Sequence, residues 1–282
     1  MTHVAILVHE DSSFSANALL AELASIWSES GIQVSVVTGI RQHVDAHALI
    51  VHVDLTRVPT EYQAFASIYP VVINGRVTDI SKHFVSRQLV KSRRGYDGAV
   101  IVKTTWNFGG NSEHHASRQL GGIVGFATAA RNRLPWSWRS RLDSYPVFES
   151  TSQVPLPVWL NRDLVVERFL PEKRDGLYCL RTWLFLGDRE RMAIFFSKSP
   201  IVKSHNIIGR ERLFDVPPEL RQLRKELGFD FGKFDYVEVD GKPVLFDANR
   251  TPSLGTISRD DALPWLRDLA EGLHAFLPRQ AT

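Results

Sequence analysis

A chain of 282 residues, 44% hydrophobic and 23% charged, suits one large α/β unit or two modest ones, and its apolar content excludes disordered, collagen-like and fibrous chains. The lone Cys179 excludes a disulfide framework and a thiolate zinc cluster. Thirty-four Lys+Arg against 31 Asp+Glu leave a net charge of only +3, so nucleic acid is not an expected partner, and no apolar run reaches the roughly 18 residues that cross a bilayer.

The opening MTHVAILVHED meets acid early and lacks the basic head of a signal peptide, so a cytoplasmic protein is expected. Val4 to Val8 is a continuous apolar run, the pattern of a strand buried on both faces. Leu20, Leu23, Ala24 and Trp27 then mark one face of a helix that Gly31 stops. Further strands are expected at Ile32 to Val36, Ala48 to Val53 and Val71 to Ile73, with a helix after Pro59 carrying Tyr62, Phe65 and Ala66. This rhythm implies mostly parallel pairing, with His9 and Asp11 at the carboxyl-end crevice where such sheets bind ligands.

A seam is expected at 78–83, followed by a short basic helix around Phe84 and Val85. Beyond it the pattern turns antiparallel. Val100 to Val102 and Leu164 to Phe169 read as strands, Arg181 to Leu186 and Arg191 to Phe196 flank Gly187-Asp188, and Lys233 to Val239 and Pro243 to Ala248 flank the stronger turn Asp240-Gly241. Leu266, Leu269, Leu273 and Phe276 mark a closing amphipathic helix. Arginines 131, 133, 139 and 141 interleave with Trp136 and Trp138, a segment able to stack bases or, more plainly, a solvated loop pinned by its tryptophans.

Three segments carry chemistry. In FDYVEVDGKPVLFDANRTP, Asp247 and Asn249 share one face of a strand, and Asp235 faces them across a tight turn. Two carboxylates and an amide oxygen form a hard-oxygen set for Mg²⁺, with Mn²⁺ an alternative. In VIVKTTWNFGGNSE, Lys103 ends an apolar strand and Gly109-Gly110 follows, a cation beside backbone N–H groups free to approach phosphate, although no GxxxxGK[ST] is present. In LVVERFLPEKRDG, Glu167 sits inside an apolar strand and requires a partner, either the amino edge of an adenine or a neighbouring cation. His114-His115 is a poor metal pair, because adjacent side chains diverge.

In this order the three segments resemble the ATP-grasp superfamily, whose members include D-alanine–D-alanine ligase and glutathione synthetase. The resemblance spans most of the chain. It implies an α/β fold, α+β in its C-terminal part. A small parallel domain over 1–82 would precede an ATP-grasp domain over 83–282, with an abbreviated first lobe at 83–163 and a second lobe at 164–282. The resemblance further implies that ATP is bound by Lys82, Lys103, Gly109 and Gly110. Glu167, Arg168, Phe169 and Leu170 would form the adenine hinge, and Glu172 or Asp175 would meet the ribose. Asp235, Asp247 and Asn249 would hold Mg²⁺, although the family's usual Glu-x-Asn here reads Asp-Ala-Asn. Arg181 and Arg250 would face the acyl phosphate, with Lys203 on the acceptor side beside Lys198 and His205. The implied reaction joins a small-molecule carboxylate, an amino acid or peptide by default, to an amine or thiol with release of ADP and phosphate. The alternatives are a hydroxyl kinase and a nucleotide- or nucleic-acid-binding module without turnover. A homodimer is the commonest symmetric assembly.

Overall fold

A computed structural model describes residues 1–12, 14, 18–119, 130, 131, 133–255 and 257–277. Strands β1 (His3–Val8), β2 (Gln33–Thr38), β3 (Ala48–Val51) and β4 (Val72–Ile73) form a parallel sheet in the order β2-β1-β3-β4. The apolar run in β1 is continuous because its alternate residues serve opposite cores. Val4, Ile6 and Val8 pack with helix α1 (Leu19–Glu29), whereas Ala5 and Leu7 pack with Tyr62 of helix α2 (Thr60–Ala66).

A short helix α3 (Lys82–Val85) leads into a three-stranded antiparallel sheet of β5 (Val100–Thr104), β6 (Val147–Phe148) and β7 (Leu164–Arg168). Val100, Val102, Leu164 and Val166 bury one face against Val158 of helix α5 (Leu156–Leu160), which leaves Ile101, Lys103, Val165 and Glu167 on the other. Because β7 pairs with β5, residues 164–168 belong to this three-stranded sheet. Helix α4 (Asn111–Gln119) follows β5 after one irregular turn.

The third sheet contains β8 (Glu172–Arg174), β9 (Leu177–Leu186), β10 (Arg189–Ser197), β11 (Ile207–Leu213), β12 (Phe231–Val239) and β13 (Lys242–Asn249). Its order is β11-β10-β9-β12-β13, with β8 also on β9. Strands β8 and β11 have no clear alternation and were not expected from the sequence. One face, with Trp183, Phe185, Phe234 and Tyr236, packs against helix α6 (Pro218–Leu227) through Leu220 and Leu227. At one end of the opposite face, Leu184, Leu186 and Phe231 join a core shared with helix α7 (Arg259–Ala270) and with Leu23 and Trp27 of α1, which ties this sheet to the N-terminal layer. The expected closing helix ends as a 3₁₀ turn over Glu271–Ala275. No helix among the described residues is long and apolar enough to cross a membrane.

Candidate active site

The β12–β13 hairpin brings together the acids that the sequence singled out. Asp235 pairs in register with Asp247, and Lys233 pairs with Asn249, so all four share one face of the six-stranded sheet. The register shifts next to this row, where Tyr236 pairs with Leu245 and leaves Phe246 as the extra residue of a bulge. Phe246 lies under Lys103, whose Nζ stands 4.9 Å from its ring centroid.

Three lysine–carboxylate pairs converge here, each lysine supplied by a different element. Lys82 Nζ of α3 donates to Asp247 Oδ1 at 2.5 Å. Lys233 Nζ of β12 lies 2.8 Å from Asp235 Oδ2. Lys103 Nζ of β5 lies 2.8 Å from Glu167 Oε2. Burial works against the charge on Lys82, yet Asp247 and Glu167 outweigh it and raise its pKa above the ordinary lysine value. Burial likewise works against the Asp247 carboxylate, but Lys82, Lys233 and Lys103 together hold its pKa below the usual range. Asp235 goes the other way: burial, reinforced by Asp247, raises its pKa despite Lys233.

The donor set fits a divalent cation. Asp235 Oδ1 is buried with no hydrogen-bond partner, directly across the ladder from Asp247. Such an atom carries a desolvation cost that a hard cation would offset. Asn249 Oδ1 accepts the Thr251 N–H at 2.8 Å and also lies 3.2 Å from Thr251 Oγ1. Thr251 Oγ1 in turn donates to Asp54 Oδ1 at 2.8 Å, and Ser112 Oγ of α4 donates to Asp54 Oδ2 at 2.8 Å. Asp54, just beyond β3, thus links the end of β13 to the segment that follows the glycines.

That segment has unusual backbone geometry. Phe108, Gly109 and Gly110 take φ values of 46°, 68° and 78° in succession. Three left-handed residues in a row turn successive N–H groups to one side, which explains the two glycines, and Phe108 is left exposed at the bend. Asn107 N–H donates to Thr56 Oγ1 at 2.8 Å, so the turn is anchored on the N-terminal layer.

Glu167 is fully buried, and neither of its oxygens has an aligned donor despite the nearby lysine. The sequence left an amino edge or a cation as its partner; the structure supplies Lys103 and still leaves acceptor capacity. Arg168, Phe169 and Leu170 follow it, with Phe169 N–H bonded to the Ala99 carbonyl at 2.8 Å.

Four expected site residues lie elsewhere. Arg181 pairs with Tyr236 in register and therefore faces away from Asp235, and it forms ion pairs with Glu172 and Glu238, each at 2.8 Å. Glu172 is engaged by that contact and also accepts the Glu238 N–H. Asp175 occupies the β8–β9 turn with φ 52° and an exposed side chain. Arg250 is fully buried and donates to the carbonyls of Val53, Val77 and Leu55. It braces the end of β13 against the N-terminal layer, and burial lowers its pKa to about 10. Lys203 is exposed at the rim, its Nζ 4.7 Å from the Tyr145 ring centroid.

Lys233 and Tyr145 escaped the sequence reading. Lys233 was legible from strand periodicity, two residues before Asp235. Tyr145 was not, because it sits in an irregular connection. Its hydroxyl pKa is raised by burial and by Asp247 and Glu167, against the effect of Lys82, which places it within this charge cluster. His9 is stacked on Tyr62 and its Nδ1 accepts the Asp11 N–H. In the Trp/Arg segment, Arg131 and Arg139 are bound to Asp163 and Asp143, and Trp136 packs on Phe148. His114 and His115 lie in α4, and among the described residues no group of three or more His, Cys, Asp or Glu is placed to hold a metal.

No family model and no curated protein matches the chain by sequence. Solved structures do match it along nearly its whole length. The macrocyclase MdnC of Microcystis aeruginosa MRC, bound with precursor peptide MdnA, is 9% identical, with a TM-score of 0.55 over 96% of this chain and 98% of its own. A RimK domain ATP-grasp protein of Sphaerobacter thermophilus is 11% identical, with a TM-score of 0.51 over 98% and 99%. A RiPP-associated ATP-grasp ligase of Chryseobacterium gregarium, in complex with ADP and a leader and core peptide, is 8% identical, with a TM-score of 0.52 over 100% and 99%. The chain has the ATP-grasp fold. Within that fold the lysine–carboxylate cluster lies where the three-stranded and six-stranded sheets of the grasp meet.

Proposed function

We propose that this protein is an ATP-dependent ligase that activates a carboxylate as an acyl phosphate and joins it to an amine or thiol, releasing ADP and phosphate. The observation that carries this reading is Asp235 facing Asp247 across one ladder beneath three lysines from separate elements. Asp235, Asp247 and Asn249 would hold Mg²⁺ or Mn²⁺, which when bound supplies neutralisation of the polyphosphate charge. Lys103 and Lys82, paired with Glu167 and Asp247, would contact phosphate oxygens, helped by the N–H groups of the Phe108–Gly110 turn. Glu167 and the Arg168–Leu170 segment would receive the adenine, the free acceptors of Glu167 matching its amino edge.

A substrate carboxylate oxygen then attacks the γ-phosphorus as the bond to the β–γ bridging oxygen breaks and ADP leaves. The amine attacks the acyl carbon, phosphate departs, and the ammonium proton passes to solvent. No side-chain nucleophile is required, so positioning and fixed charge supply the catalysis. Lys233, beside Asp235, would meet the developing charge, and Lys203, near the Tyr145 ring, would serve the acceptor side. An amino acid or peptide carboxylate is the substrate class this reading favours.

The test is a screen of amino acids and short peptides for ADP release with Mg·ATP, with hydroxylamine as the trap. A hydroxamate that forms only with ATP and the acid is the expected result, whereas phosphorylated product without hydroxamate would mean a kinase. Lys103→Ala is expected to weaken Mg·ATP affinity at least tenfold in a fluorescence titration and to lower the melting temperature, because it strips buried Glu167 of its cation. Unchanged affinity would remove Lys103 from the nucleotide site.

A further inference from the structure

The sheet face that carries Asp235 and Asp247 continues past them to the free edge. Register places Arg212, Ala193, Thr182, Asp235 and Asp247 in one row across five strands, and Arg191, Leu184, Lys233 and Asn249 in the next. Arg210 is two residues from Arg212 on β11 and faces the same way. Three arginines therefore share the face of the candidate active site, with Arg210 and Arg212 exposed and Arg191 half-buried.

Among the described residues none of the three forms an ion pair. The contacts they make are with rings: Arg191 stands 4.8 Å from the Trp265 ring centroid, and Arg212 stands 4.9 Å from that of Phe214. Burial lowers the Arg191 pKa, and the like charges of Arg212 and Arg210 lower it further. Like charges gathered on a catalytic face without counter-charges are arranged for a ligand that brings them.

We propose that this arginine cluster binds carboxylates of an acidic peptide substrate whose reacting end lies at Asp235 and Asp247. Adjacent strands are about 4.8 Å apart, so Arg212 is about 14 Å from Asp235 along its row, whereas the row from Arg191 to Lys233 passes through Leu184, packed against the core under α7. The span from Arg212 to Asp235 is longer than a single amino acid and equals about three to four residues of extended peptide. The guanidinium fork is matched to the carboxylate plane, and the row sets how far from the reacting end the acids must stand. This assignment rests on the ligase reading for the position of the reacting end, whereas its test does not require nucleotide.

The experiment measures tetraglutamate binding to the intact chain by calorimetry and tryptophan fluorescence, with tetra-alanine and tetralysine as controls. Tetraglutamate is expected to bind at least tenfold tighter than either control, and more weakly as salt rises. The double variant Arg210→Gln/Arg212→Gln, at exposed positions where folding is not at stake, should weaken it at least tenfold and leave Mg·ATP affinity within twofold. The fluorescence change should shrink in Trp265→Phe, because that ring touches Arg191. Equal affinity for tetraglutamate and tetra-alanine, or binding indifferent to the double variant, would overturn the proposal, as would displacement of tetraglutamate by millimolar inorganic phosphate alone. If Mg·ATP fails to bind while tetraglutamate binds through these arginines, the ligase reading falls and the anion site remains. If Mg·ATP binds and tetraglutamate does not, the peptide assignment alone falls.

Discussion

His52 shows how a single buried group sets a pH response. It lies just beyond β3, and its Nδ1 has no hydrogen-bond partner. Burial lowers its pKa from 6.5 to about 4, with Asp54 opposing and Arg250 assisting the shift. The unfolded imidazole takes up a proton near pH 6.5 and the folded one only near 4, so stability is lost as pH falls through that window. A shift of this size corresponds to about 3 kcal/mol. Urea midpoints at pH 7 and pH 4.5 should therefore diverge for the parent protein and converge for His52→Gln. Equal divergence in both would assign the acid sensitivity to other groups. His52 was not legible as a titrating group, because its sequence neighbours are ordinary strand residues and only the tertiary core desolvates it.

At the scale of elements, close approach decides which residues the chain tolerates. Gly272 follows α7 where the 3₁₀ turn runs over the end of β9, and an added Cβ would fall onto the Leu186 carbonyl. Backbone cannot yield there as a side-chain tip can, so Gly272→Ala is expected to cost about 1–3 kcal/mol. A drop of several degrees in melting temperature would register it, and an unchanged melting temperature would show that the turn can move away. The β12–β13 hairpin is the opposite case, fixed by local chemistry. Asp240 and Gly241 both take positive φ, 51° and 72°, as a tight two-residue turn demands. That turn together with strand alternation sets the Asp235–Asp247 register, which is why the facing acids were readable from one segment. Arg181 was misread because the same alternation turns it to the opposite face, a consequence of its pairing with Tyr236 that its position alone does not reveal.

Over the whole molecule, the site depends on how the three sheets are held together. Arg250 is the clearest brace. Its guanidinium, wholly buried, satisfies three carbonyls from the segments after β3 and β4, and Asp54 beside it bonds both Thr251 and Ser112. Arg250→Met would leave three buried carbonyls without donors and is expected to cost about 3 kcal/mol or more, with Arg250→Lys recovering only part, since one ammonium cannot reach three divergent acceptors. Guanidinium chloride midpoints measure this. A nearly neutral Arg250→Met would mean that those carbonyls find other donors. The fold likeness at 8–11% identity has the same basis: layer packing persists where most side chains differ.

The sequence by itself determined the parallel first sheet, the acid hairpin and the strand-borne Lys103, because periodicity and turn chemistry act over a few residues and leave a local record. Only the tertiary structure decided that Arg250 is a brace, that Arg181 and Glu172 neutralise each other away from the site, and that Lys82, Lys103 and Lys233 meet their acids. It also set three arginines without ion pairs on the face that carries Asp235 and Asp247. These outcomes depend on which strands become neighbours and which way each side chain faces, and long-range pairing of that kind is written in no single stretch of the chain.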